Sequence, residues 1–386
     1  MFCAVQGRAE NSRVQVLSDG FLSINLQPHF VIGLYQAGRY DEMSQAGFSG
    51  THNYSFSTGE ADEPINSTDA RLKVALDRNA ANGLRMMVEL PRKAVEKGKW
   101  DQVRHRIEAF RNHPGLLCWG SEERVARGLT SVTNMVRLYR LVHELDPNHP
   151  LVLGDTKDVI KKLQKDRRDF FPDQAMDIGI WWWYPIPLKD KDGNGLETRS
   201  RVQLEPPSWL TTTWSQRPLW IAIQSYQHPS KDGRFPTPAE YRCMAYLSII
   251  NGVKGIWFYT GSGQKDYQGK PAGILNKPVE GRWDYVKSLA HELREFSPVI
   301  MAPKPLGSAT VSPANGAIEF TLREVGNTNY LIAANKSPQA QTVTFRGTVL
   351  QERRVKVLFE EHQAMVRGDA LKDWFEPFGV HVYQLD

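Results

Sequence analysis

From His29 to about Pro298, short apolar runs alternate along the chain with stretches in which apolar residues recur at helical spacing. A short continuous apolar run bounded by turn residues predicts a strand buried on both faces. Such runs are HFVIGLY (29–35), LRMMVEL (84–90), LLCW (116–119), LVLGD (151–155), MDIGIWWWYP (176–185), RPLWIAIQSY (217–226) and GIWFYT (255–260), and Gly50 to Phe56 reads as a further strand. Between them lie predicted helices. Arg39 to Ala46 is short. Ser67-Thr68-Asp69 opens a helix with Leu72, Ala75, Leu76 and Ala80 on one face, and Gly83 stands just past its end. A long charged helix runs to about His113. Thr130 to Leu145 carries Met135, Leu138, Leu141, Val142 and Leu145 at helical spacing, and a Lys-rich helix follows Asp155. Thr237-Pro238-Ala239-Glu240 reads as a capping box with proline at the first helical position. Trp283, Val286, Leu289, Leu293 and Phe296 form the stripe of a last helix.

Eight strand-then-helix units in about 270 residues predict an α/β fold, a closed (β/α)8 TIM barrel. A doubly wound open sheet would carry a glycine-rich phosphate loop after an early strand, and the chain has neither GxGxxG nor a Walker sequence. Beyond Pro298 the pattern changes to short strands between Gly, Pro and Asn turns: AIEFTL, NYLIAAN, TVTF, VKVLFE and VHVYQL. These predict a small all-β sandwich. The expected organisation is an N-terminal segment (1–28), the barrel (29–298) and a C-terminal β-sandwich (299–386).

Composition narrows the function. A chain of 386 residues with a net charge of +5 and mixed signs carries no long basic run to bind nucleic acid. Its three cysteines form neither a metal spacing nor a disulfide framework, and Cys118 and Cys243 sit in apolar patterns as buried thiols. No stretch is apolar and long enough to span a membrane. The opening MFCAVQGRAE lacks a basic and an apolar leader region, so the expectation is a cytoplasmic protein, or a secreted one whose leader is absent from this sequence.

Candidate chemistry lies at strand ends, where parallel-sheet enzymes place it. In HPGLLCWGSEER (113–124) an apolar run stops at two adjacent carboxylates, Glu122 and Glu123. Adjacent carboxylates raise one another's pKa, which suits a proton donor near neutral pH. Glu89 and Asp155 end the preceding and following strands, although Asp155 also suits a helix cap. His52, Asn53 and Tyr54 near the end of strand two, with Tyr35 and Tyr259 at the ends of strands one and eight, are candidate substrate contacts. So are Trp119, Gln224, and the last members of the Trp181-Trp182-Trp183-Tyr184 run, Trp183 and Tyr184, as stacking platforms. Asp190-Lys191-Asp192-Gly193-Asn194-Gly195 matches the first half of a calcium loop, but its twelfth position is Arg201, so a polar turn is expected and no metal site is assigned.

Several of these segments, in order, resemble clan A glycoside hydrolases: LSINLQPHFVIGLY leading into strand one, YDEMSQAGF, the HPGLLCWGSEER end of strand four, LVHELDPNHPLVL, DIGIWWWYPIP, and FGVHVYQL as the last strand of an accessory sandwich. The resemblance implies glycosidic bond hydrolysis on an oligo- or polysaccharide, without a cofactor, with Glu123 as general acid. It also places Gln224 where the retaining members carry their nucleophilic glutamate. An amide is no anionic nucleophile, so at that position the standard retaining mechanism lacks its nucleophile, and the choice between retention and inversion stays open. A non-catalytic carbohydrate-binding protein on a degenerate barrel is the alternative. A metal-dependent hydrolase is disfavoured by the lack of a paired-His motif.

Overall fold

The structure, a computed structural model, describes residues 12–56, 65–122, 130–155, 175–187, 217–276 and 281–386. The N-terminal segment folds as three short antiparallel strands: β1 (Val14–Val16), β2 (Leu22–Ile24) and β3 (Gln27–His29). Asn25 and Leu26, both at positive φ, form the two-residue turn between β2 and β3. This small sheet was not expected from the hydrophobic pattern.

The seven apolar runs and the strand expected after Gly50 become β4 (Val31–Tyr35), β5 (Gly50–His52), β6 (Arg85–Glu89), β7 (Leu116–Glu122), β8 (Leu151–Asp155), β9 (Ile178–Trp183), β10 (Leu219–Gln224) and β11 (Gly255–Tyr259). They close into a barrel in sequence order, β11 lying beside β4. The helices are α1 (Tyr40–Gln45), α2 (Ile65–Ala81), α3 (Arg92–Glu96), α4 (Trp100–Phe110), α5 (Val132–Leu145), α6 (Pro238–Ile250) and α7 (Arg282–Met301). No helix among the described residues is long and apolar enough to cross a membrane.

Two elements differ from expectation. The long helix before His113 is two helices, because Gly98 takes a left-handed φ of 67° between them. The second strand stops at His52 rather than Phe56: Asn53 Oδ1 accepts from Ser55 N at 2.9 Å, and a 3-10 turn follows at Tyr54–Phe56. The expected Lys-rich helix after Asp155 and the insertion after strand six, with its calcium-like loop, lie outside the described residues.

The chain divides into two compact units, Met1–Trp182 with Trp214–Trp220, and Trp183–Thr213 with Ile221–Asp386. In the first, β6, β7 and β8 bury one face against α2, α4 and α5, through a core that includes Leu76, Val88, Ile107, Trp119, Leu138 and Leu153. The second holds the C-terminal β-sandwich. One sheet runs β12 (Thr310–Ser312), β15 (Gln341–Arg346), β18 (Ala370–Phe375), β17 (Val366–Arg367). The other runs β13 (Ile318–Val325), β14 (Thr328–Asn335), β19 (Val380–Leu385), β16 (Val355–Leu358). Their inner faces meet on Leu331, Phe345, Leu371, Phe375 and Tyr383. Helix α6 starts on the expected capping box. Its Arg242 binds Glu292 of α7 and the Val380 carbonyl of β19, while Cys243 meets the Asn335 carbonyl. Cys118 and Cys243 are free and buried, as expected.

Candidate active site

In the first unit five side chains converge from the ends of four neighbouring strands. Tyr35 ends β4, His52 ends β5, Glu89 ends β6 and Glu122 ends β7, and all four are buried. The fifth, Tyr54, follows β5. Both tyrosine hydroxyls donate to Glu122, Tyr35 to Oε1 and Tyr54 to Oε2 at 2.8 Å. His52 Nε2 stands 3.6 Å from Glu89 Oε1. The imidazole lies against both phenol rings, at centroid distances of 4.5 Å to Tyr35 and 4.4 Å to Tyr54. One donor atom from each of His52, Glu89 and Glu122 falls within 4.8 Å of the others.

The strand register explains how two buried carboxylates fit so close together. Glu89 pairs with Gly120 across the β6–β7 ladder, and Glu122 pairs with Gly154 across β7–β8. A Cβ at Gly120 would meet Glu89 Oε1 at 2.5 Å, and one at Gly154 would meet Glu122 Cγ at 2.8 Å. Each carboxylate therefore occupies the volume its neighbour leaves empty. Cys118, on the same face of β7 as Glu122, has its thiol pKa pushed well above the ordinary range by burial and by the charges of Glu89 and Glu122. Gln36 was not anticipated: its Oε1 accepts from Tyr54 N at 3.1 Å and so fixes the turn that carries Tyr54. No sequence pattern marks such a long-range tie.

Other expected contacts are placed elsewhere. Trp119 faces the helices: its indole Nε1 donates to Asp146 at 2.8 Å and its ring packs in the helix-side core, so it is removed from the site. Asn53 spends its side-chain oxygen on its own turn. Trp182, not Trp183, shares the Glu122 side of the sheet, since its ring lies 3.1 Å from where a Gly154 Cβ would stand. Strand alternation turns Trp183 the other way, where it is buried. Asp155 is the last residue of β8. Glu123 lies outside the described residues.

In the second unit Tyr184, Tyr226 and Tyr259 form an aromatic cluster. Tyr184 stacks on Tyr259 at 5.1 Å, and Tyr226 meets both edge-on. Burial pushes the Tyr226 hydroxyl pKa up. Gln224, at the end of β10, is fully buried and committed to the backbone. Its Oε1 accepts from Ile186 N at 2.9 Å, while Nε2 donates to the carbonyls of Ile186 at 2.8 Å and Tyr226 at 3.2 Å. Expected as a substrate contact, it is instead a clamp.

No protein-family model and no curated protein matches the chain. Its fold matches solved glycoside hydrolases. An α-amylase from Geobacillus thermoleovorans, complexed with acarbose, superposes with a TM-score of 0.63 at 10% identity, covering 92% of this chain and 98% of the amylase. A GH42 β-galactosidase from G. stearothermophilus gives 0.60 at 8% identity over 98% of this chain and 100% of its own. A family 30 xylanase from Clostridium acetobutylicum gives 0.51 at 10%, covering 97% of each. The chain thus has a glycosidase-like fold, a TIM barrel followed by a β-sandwich. At such identities the likeness concerns architecture alone.

Proposed function

We propose that the protein hydrolyses glycosidic bonds of an oligo- or polysaccharide. The observation that carries this reading is the buried pair Glu89 and Glu122, gathered at strand ends with His52, Tyr35 and Tyr54. Hydrolysis needs a proton donor at the leaving oxygen and a second carboxylate as nucleophile or as base for water. Glu123, which follows Glu122 in the chain, is the donor the family resemblance favours. Glu122, Glu89 and Asp155 are the candidates for the second role. Gln224 supplies no nucleophile, because an amide bears no anionic oxygen. The Tyr184–Tyr259 stack offers aromatic faces suited to the apolar face of a sugar ring.

The test is reducing-sugar release across a panel of poly- and oligosaccharides, by wild type, Glu122→Gln, Glu123→Gln and Glu89→Gln. Turnover by the wild type that collapses in one or more variants supports the reading. Turnover unchanged in all three means that other groups do the chemistry. The clamped amide at Gln224 favours a second reading, a carbohydrate-binding protein without turnover. It predicts sugar binding by the wild type that survives Glu123→Gln, with no product on any substrate.

A further inference from the structure

We propose that His52, Glu89 and Glu122 bind one divalent transition-metal ion, of the Zn²⁺ or Mn²⁺ class. The three residues end three successive strands, so their positions are set by the barrel ladder rather than by a loop. All three are buried, with donor atoms within 4.8 Å of one another. Two donors each about 2.1 Å from one ion, and 3.6 Å apart as His52 Nε2 and Glu89 Oε1 are, subtend about 118°, near the tetrahedral angle.

An independent observation supports an ion there. The His52 ring is fully buried, and neither of its nitrogens has a hydrogen-bond partner among the described residues. Buried polar groups are satisfied as a rule, and an ion on Nε2 would satisfy this one. The hydroxyls of Tyr35 and Tyr54 behind Glu122 would hold that carboxylate in a fixed orientation, as hydrogen bonds to metal-binding groups do. One imidazole with two carboxylates suits zinc or manganese better than calcium, which takes oxygen donors in larger number.

The site does not depend on the hydrolase reading.

The experiment is calorimetric titration of chelator-stripped, dialysed protein with Zn²⁺ and, separately, Mn²⁺, with Ca²⁺ as comparator. Wild type, Glu89→Gln and His52→Gln are compared, each checked for folding by circular dichroism. The expected result is one Zn²⁺ or Mn²⁺ per chain, little Ca²⁺ binding, and affinity weakened roughly 100-fold in each variant. A metal-dependent rise in Tm should appear in the wild type alone. Absence of binding, or wild-type binding in folded Glu89→Gln, overturns the proposal, and the isosteric Glu89→Gln decides alone if His52→Gln does not fold. Sugar release by the same stripped protein keeps the two readings apart. Release without metal binding overturns the metal site and keeps the hydrolase. Binding without release on any substrate supports the site and counts against the hydrolase.

Discussion

Gln224 and Ile186 hold each other by two hydrogen bonds, the Ile186 N–H donating to the amide oxygen at 2.9 Å and the amide nitrogen donating to the Ile186 carbonyl at 2.8 Å. The pairing needs a donor and an acceptor on one side chain, which glutamine has and ionised glutamate lacks. Gln224→Glu is therefore expected to destabilise the fold by about 3–5 kcal/mol, because it buries a carboxylate against the carbonyls of Ile186 and Tyr226. Urea unfolding of the variant beside wild type measures this, and equal midpoints would count against the clamp.

The phenols that hold Glu122 should be separable. Tyr35→Phe removes one buried donor from the carboxylate and should cost about 1.5–3 kcal/mol. Tyr54→Phe should cost less, about 1 kcal/mol, because Tyr54 is half-buried. If the protein is a glycosidase, sugar release falls in both. Denaturation and a turnover assay on the same preparations test the order.

Gly154→Ala places a Cβ 2.8 Å from Glu122 Cγ and 3.1 Å from the Trp182 ring. Overpacking of this kind should cost about 1–3 kcal/mol and displace the carboxylate. A variant with wild-type stability and wild-type activity would show that the packing yields more easily than the register implies.

Away from the site, His143 on α5 has its pKa raised by its hydrogen bond to Asp177, against a smaller lowering by burial. A raised folded-state pKa means that the stabilisation is complete below the unfolded value of about 6.5 and is lost as pH climbs through the folded value. The stability difference between wild type and His143→Gln should accordingly narrow between about pH 5.5 and pH 9. The ring is 39% exposed, so solvent screening keeps the effect small. Urea midpoints of both proteins at the two pH values provide the check.

The barrel was legible because seven of its eight strands are apolar runs that stop at a polar or aromatic residue, and Tyr35, Glu89, Glu122, Gln224 and Tyr259 are all last residues of their strands. The direction in which those residues point was not legible. A strand buried on both faces has no polar alternation to fix its phase, so Trp119 and Glu122 could not be sorted between core and site. The same ambiguity exchanged Trp182 and Trp183. In the sandwich, β18 (ALKDWF) was missed because Lys372 and Asp373 interrupt its apolar positions. The Gly98 break shows the limit of helical periodicity, since one left-handed glycine divides a stretch whose charge pattern runs on.

The amide clamp also bears on how such a chain can change over generations. A glutamine codon lies one base from a glutamate codon, so a carboxylate at position 224 is always a single mutation away. That mutation would create an acid and remove the two bonds that the amide nitrogen donates to the Ile186 and Tyr226 carbonyls in the same event. If Gln224→Glu costs what the clamp predicts, the short genetic path to an acid at this position is opposed by folding rather than by chemistry.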